Sequence, residues 1–180
     1  SLAGTVPQGA AITPAGVFTW TPTEEQGPAS YNFDVVVFDG ALTDSETITV
    51  TVNEVNVAPV LNAIGAQNVD ELAELTFIAT ATDSNVPDQT LTFSLAGDVP
   101  QGAEITPAGV FTWTPTEEQG SGSYIFDVVV SDGKLTDSET ITVTVNEINV
   151  APVLDTIGAQ TVDELTELTF TATATDSDIP

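Results

Sequence analysis

The sequence predicts an all-β chain of tandem immunoglobulin-like or cadherin-like β-sandwiches, each of about seven strands. Three observations lead there. The stretch TVNEVNVAPVL at Thr51–Leu61 returns as TVNEINVAPVL at Thr144–Leu154, which sets a repeat of 93 residues. Within the repeat, apolar and polar residues alternate with a period of two, the pattern of a half-buried strand, and no stretch carries a helical period. Pro-Gln-Gly, Pro-Ala-Gly and Asp-Gly separate the alternating runs and supply the turns.

The elements follow in order along the complete repeat. Leu75, Phe77, Ala79 and Ala81 alternate with Thr76, Ile78, Thr80 and Thr82, predicting one strand over 75–82. Leu91, Phe93 and Leu95 form the next inward set, followed by short strands over 103–106 and 110–114, the latter presenting Phe111 and Trp113. Tyr124, Phe126, Val128 and Val130 face inward along the fifth strand, and Ile141, Val143 and Val145 along the last. Aligning residues 1–87 on 94–180 leaves 15 differences, and those on strands test the faces. Asn32 against Ile125, Phe38 against Ser131 and Ile78 against Thr171 all fall on predicted outward faces, while the inward residues do not change.

The repeat divides the chain into residues 1–55, the back part of a repeat; 56–148, a complete repeat; and 149–180, the front part of a third. Ser1 falls in mid-repeat, which points to a piece of something longer or to a processed subunit. The two partial segments together make a whole repeat except for the six residues matching Asp88–Phe93. Two readings stay open. The chain is a window from a long array that folds by nearest-neighbour stacking. Alternatively, the C-terminal part of one chain completes the N-terminal part of the next in an open head-to-tail filament.

Composition excludes several functions. The chain has no cysteine, histidine or methionine. It therefore lacks disulfides, thiolate metal sites and any Ser-His or Cys-His nucleophile pair, and no phosphate loop or catalytic carboxylate pair stands in their place. A non-enzymatic protein is expected. With 27 acidic residues against the single Lys134, the surface repels nucleic acid and anionic lipid and favours cations. No apolar run approaches the ~20 residues that cross a bilayer, and the first residues carry no signal-peptide pattern.

Strand parity places the acidic residues. If the first strand runs up, Asp83, Asn85 and Asp132 share the upper pole of the repeat, and Glu71, Glu117, Glu118, Glu147 and Asn149 the lower. Joining repeats in sequence sets a lower pole against the next upper pole. The first joint is then expected to gather Glu24, Glu25, Glu54 and Asn56 with Asp83, Asn85 and Asp132. The second is expected to gather Glu71, Glu117, Glu118, Glu147 and Asn149 with Asp176 and Asp178. So many carboxylates repel one another unless a cation intervenes. Calcium suits an irregular set of six to eight oxygens, whereas magnesium demands a tight octahedron and zinc favours nitrogen or sulfur. Solvated acidic loops that only keep the protein soluble are the competing account.

The order DEL, ATDSD, TPTEEQ, VVVSDG, NEINVAPV resembles the successive calcium-ligand motifs of cadherin repeats. The stretch from Val99 to Gly133 looks more specifically like the dystroglycan-type cadherin-like, or immunoglobulin-like, repeats of large bacterial and archaeal surface proteins. The resemblance covers the whole chain. It implies ligand roles for Glu71, for Glu118 or Glu117, for Asp132, for Asp83 with Asn85, and for Glu147 with Asn149. Val57 and Val150 depart from the linker motif, which usually has an acidic residue there, and Asn85 replaces an aspartate in one copy.

The function expected is a structural stalk or filament outside the cell, for surface attachment or cell adhesion, with joints stiffened by calcium. Its partners would be neighbouring repeats or identical chains end to end. A glycan- or protein-binding adhesion module is the other class, with exposed Phe38 as a candidate contact. Trp20 and Trp113 read as core rather than sugar platforms, and the row Thr47, Thr49, Thr51 as a solvated face. Lys134 is matched by Ala41, so no intramolecular isopeptide is required.

Overall fold

The structure, a computed structural model, describes residues 1–178; Ile179 and Pro180, the end of the expected third segment, lie outside the described residues. Two compact units emerge. The first comprises Ser1–Val60, Ala81–Leu91 and Ser131–Thr136, the second Leu61–Thr80, Thr92–Val130 and the chain from Asp137 onward. Among the described residues all regular structure is β, apart from single 3-10 turns at Glu24–Gln26 and Glu117–Gln119. No helix among them is long and apolar enough to cross a membrane.

In the second unit two sheets face each other. One runs in the order Thr92–Gly97, Ser123–Ser131, Thr136–Asn146, Gln67–Asp70, the last pair parallel. The other runs Glu104–Ile105, Val110–Trp113, Leu75–Ile78, antiparallel throughout. The alternating residues read from the sequence meet between them. Val128, Ile141, Val143 and Val145 are buried with Phe111, Trp113 and Phe126 in one cluster. The rings of Phe77, Phe111 and Phe126 stack in sequence at 4.5 and 5.9 Å. Trp113 lies edge-on to Tyr124 at 5.0 Å, and its indole N–H donates to the Gln101 carbonyl at 3.1 Å. A tryptophan with its apolar body buried and its one donor satisfied is a core residue. Ile78 and Ile125, assigned outward, are exposed.

Two strands differ from expectation. The predicted run over 75–82 breaks after Ile78 and resumes at Ala81–Thr82. The cause is Gly109. Its carbonyl accepts the Ala79 N–H at 2.8 Å, and a Cβ on Gly109 would stand 2.4 Å from the Ala79 carbonyl oxygen. Only glycine lets the two backbones approach this closely, and the contact pulls the strand off its line. Gln67–Asp70 was not expected as a strand, because Val69 is its one apolar residue. Its partner Thr136–Asn146 supplies the ladder, and Val69 plugs the core edge.

In the first unit Leu2–Gly4, Ala29–Phe38 and Thr43–Val52 form an antiparallel sheet, and Ala11–Ile12 pairs with Phe18–Thr19. These strands lie 93 residues before their counterparts in the complete repeat. Phe18 stacks on buried Phe33 at 5.5 Å, and Trp20 meets Tyr31 edge-on at 5.0 Å, as Trp113 meets Tyr124. In the third segment Val153–Leu154 pairs with Ala174–Thr175.

Phe111→Ala is expected to destabilise the complete repeat by about 3–5 kcal/mol. Ile78→Thr, which copies the residue at position 171, should stay within about 0.5 kcal/mol. Urea denaturation of the two variants measures the contrast, and equal losses would contradict the face assignment.

Candidate metal centre

One acidic group lies in each unit. In the first, buried Asn85 stands at the middle of the network. Its Oδ1 accepts the Val57 N–H at 3.2 Å, and its Nδ2 donates to Glu54 Oε1 at 2.9 Å. Asn56 donates to Asp132 Oδ2 at 2.7 Å and accepts from Gln89 Nε2 at 2.6 Å. Glu24 Oε1 accepts the Val86 N–H at 3.1 Å. Asp83 Oδ1 accepts the Asn85 N–H at 2.9 Å, while its Oδ2 is buried with no partner. Six of the seven residues expected at this joint, Glu24, Glu54, Asn56, Asp83, Asn85 and Asp132, are tied into one neighbourhood by these bonds. Glu25 is exposed and takes no part.

The Asp132 carboxylate is held by its own turn. Both the Lys134 and Leu135 N–H groups donate to its Oδ1 at 2.6 Å. The Leu135 amide above all, then the Asn56 amide, holds the Asp132 carboxyl below its ordinary range. A carboxylate fixed in its charged form suits a cation or an amide donor.

In the second unit Glu71, Glu117 and Glu147 place one carboxylate oxygen each within 4.8 Å of the others. Different elements deliver them. Glu71 follows the strand Gln67–Asp70, its N–H donating to the Asn146 carbonyl at 3.0 Å. Glu117 opens the 3-10 turn, which a Thr116-to-Gln119 capping box closes through a 2.9 Å bond from the Thr116 N–H to Gln119 Oε1. Glu147 follows the last strand, Thr136–Asn146. Glu71 is only 3% exposed; its Oε1 accepts the Ile148 N–H at 3.0 Å, and its Oε2 has no partner. Glu147 Oε1 and Asp178 Oδ1 are likewise buried without partners. Gly120 makes the room, since a Cβ there would stand 1.9 Å from Glu71 Oε2 and 2.5 Å from Glu147 Oε2. Burial first, then the negative charges of Glu71, Glu117 and Asp178, push the Glu147 carboxyl above its ordinary range.

Asp178 accepts the Val150 N–H through Oδ2 at 2.7 Å, and Asp176 Oδ1 accepts the Asp178 N–H at 3.1 Å. These repeat the Asn85–Val57 and Asp83–Asn85 bonds 93 residues on. The valines that depart from the acidic linker motif thus contribute their backbone N–H groups. Asn149 donates to the neighbouring Val150 carbonyl at 3.3 Å, not to a second carboxylate. Glu118 is exposed and lies outside the cluster. Successive residues of a 3-10 turn are about a third of a revolution apart, so Glu117 and Glu118 do not share a face.

The donor set of the second unit is Glu71, Glu117 and Glu147. It consists of carboxylate oxygens alone, two of them buried with no protein donor. Calcium–oxygen bonds of about 2.3–2.6 Å put ligands on opposite sides of one ion about 5 Å apart. The three oxygens, all within 4.8 Å of one another, lie close enough to share one such ion. The residues fit the ion.

Sequence reasoning missed four contributors. Gln89 lies in the six residues without a counterpart, so repeat comparison is silent on it. Gly120 gave no sign of its role, because its need is visible only once two carboxylates converge on it. Asp137 and Glu139, which no motif singles out, accept the N–H groups of Leu61 at 2.8 Å, Ile64 at 2.7 Å and Gly65 at 3.0 Å.

Among solved structures, mouse protocadherin-24 EC1-3 superposes with a TM-score of 0.53 at 13% identity, over 98% of this chain and 65% of that one. Human protocadherin-24 EC1-2 gives 0.47 at 21% identity, over 69% and 64%. The endo-fucoidan hydrolase MfFcnA4 from glycoside hydrolase family 107 gives 0.43 at 19% identity, over 82% and 23%. The chain thus spans less than two thirds of each of these structures, and the mouse likeness is one of fold alone. No curated protein sequence matches the chain. The family model described as "Putative Ig domain" matches residues 1–53 and 58–146, in register with the repeat; the chain belongs to this family of immunoglobulin-like domains.

Proposed function

We propose that this chain is a structural, non-catalytic segment of an extracellular stalk or adhesin, whose repeat joints are closed by calcium. The observation that carries the reading is the convergence of Glu71 and Glu147 on Gly120, with Glu71 Oε2 and Glu147 Oε1 buried and without a donor. Burying unpaired carboxylates is costly unless a cation joins them. Glu71, Glu117 and Glu147 would hold the ion, with Asp178 beside them. The ion supplies positive charge. The chain's residues supply the rest: Glu71 ties the linker amide of Ile148, and Asp178 ties that of Val150. Without the ion, like charges loosen the linker; with it, those amide bonds are braced. The cadherin-like sandwich and the acidic surface support an adhesive or spacing role outside the cell.

At the position of Asn85 and Asp178 the two joints carry different chemistry. Asn85 answers Glu54 with an amide donor, whereas Asp178 in the same place adds charge next to Glu147. The second joint therefore depends on the cation more than the first.

Calcium added to the chelator-treated chain is expected to raise Tm saturably. For one site the gain is about 2.7 kcal/mol at a concentration about 100-fold above Kd. Magnesium should give less. No thermal shift by scanning calorimetry with either ion would remove the metal from this reading. Asp178→Asn is expected to raise Tm in chelator and shrink the calcium response. Asn85→Asp should cost about 1–3 kcal/mol in chelator, because it strips a buried carboxylate of its donor. Thermal melts of the two variants with and without calcium check this, and shifts of the same sign would contradict it.

A further inference from the structure

We propose that the outer edge of Thr92–Gly97, with the groove beside it, is a docking site for an extended, basic segment of a partner protein, which adds to the sheet as a further strand. Thr92–Gly97 ends the four-stranded sheet, and Glu104–Ile105 ends the sheet that faces it. Both strands lie inside the complete repeat, 56–148, whose two sheets are both present, so this open side belongs to the finished sandwich. The Phe93 N–H leaves its own sheet and donates to the Pro107 carbonyl at 3.1 Å, which ties the two edges at one point. Beside that tie is a groove of about 430 Å³ whose apolar lining is Phe93, Leu95, Val99, Ala103, Ile105 and Pro107.

An exposed edge strand invites pairing, and proteins commonly guard it with lysine, proline or another charge. Thr92–Gly97 reads TFSLAG and carries none of these. Its alternation is regular: Phe93 and Leu95 are partly buried, whereas Ser94 and Ala96 are exposed. Backbone direction also alternates along a strand, so the N–H and carbonyl of Leu95 point to the same outer side as the Phe93 N–H. Leu95, Val99 and Ile105 pack against the central cluster, so the floor of the groove is the flank of the core. A segment laid along this edge gains main-chain hydrogen bonds at Leu95 and buries every second side chain on that floor.

Charge identifies the occupant. Exposed Glu104 lines the groove, and exposed Asp98 follows the strand. Asp127, on the outer face of the neighbouring strand Ser123–Ser131, has its Oδ1 held by the Thr140 hydroxyl at 2.5 Å. Its Oδ2 lies beside Gly97, 3.7 Å from where a Cβ would stand. The chain's single basic side chain, Lys134, is in the turn after Ser123–Ser131. A second copy would bring a net charge of -26 to a surface that is itself acidic, and is repelled. A segment in which apolar residues alternate with lysine or arginine satisfies both faces. Its apolar side chains enter the groove over Leu95 and Ile105, and its basic ones pass the small Ala96 and Gly97 toward Asp127. None of these residues belongs to the acidic group around Glu71, so the proposal stands whether or not an ion occupies the joints.

The test titrates the isotopically labelled 180-residue chain, in chelator, with a short peptide of alternating lysine and valine blocked at both ends, and with its glutamate–valine counterpart. The lysine peptide is expected to shift the amide resonances of residues 92–105 saturably and to slow exchange at Leu95. Added salt should weaken it, because the attraction is between exposed charges. The glutamate peptide should change nothing. Ala96→Lys and Ser94→Lys place a guarding charge at exposed positions of the edge and should each weaken binding about tenfold or more. Glu104→Ala, which copies Ala11, should weaken it several-fold. Ile78→Thr, at an exposed position of the other sheet, should bind as the parent chain does. Equal binding of the two peptides, shifts centred outside residues 92–105, no binding at millimolar peptide, or binding unaffected by both lysine variants would each overturn the proposal. So would self-association of the chain that Ala96→Lys abolishes, since the occupant would then be a second copy.

Discussion

Charge repulsion beneath a glycine is the constraint on which the second joint depends. Gly120 lets the carboxylates of Glu71 and Glu147 converge where any side chain would keep them apart, and the turn opened by Thr116 adds Glu117. Such a group is unstable as a bare assembly of charges, as the upward displacement of the Glu147 titration reflects. The sandwich supplies the stiffness that keeps it assembled. Glu71 and Glu147 each follow a strand of one sheet, so their backbones cannot separate without breaking the parallel pair of Gln67–Asp70 with Thr136–Asn146.

The repeat within one chain acts as a built-in mutation series. At the first joint Asn85 satisfies Glu54 with an amide, and Asn56 and Gln89 extend the amide network to Asp132. At the second, aspartate stands in place of Asn85, and Glu71, Glu147 and Asp178 each keep a buried oxygen without a donor, as Asp83 does at the first. At that one position the change from amide to carboxylate replaces a donor with a charge.

Much of the fold was legible in the sequence because sandwich strands bury every second side chain. Val128, Ile141 and Val143 could be assigned to the core from spacing alone, and the outward substitutions confirmed their phase. The strand Gln67–Asp70 was not legible, since its pairing comes from a partner 76 residues away and only Val69 shows a burial preference. For the acidic groups, strand parity placed Asp83, Asn85 and Asp132 together correctly, as it did Glu71 and Glu147. It could not choose between Glu117 and Glu118, or set Glu25 aside, because adjacent residues share a pole and only side-chain direction distinguishes them. The anchoring roles of Asp137 and Glu139 were hidden for a similar reason: backbone amides leave no trace in a side-chain pattern.

The central claim is that cation binding braces the linker through the carboxylates that hold its amides. Amide hydrogen exchange of Ile148 and Val150, whose N–H groups donate to Glu71 and Asp178, tests it most directly. Exchange at these two amides should slow when calcium replaces chelator, with the sandwich core unchanged. Equal exchange in both conditions would contradict the account.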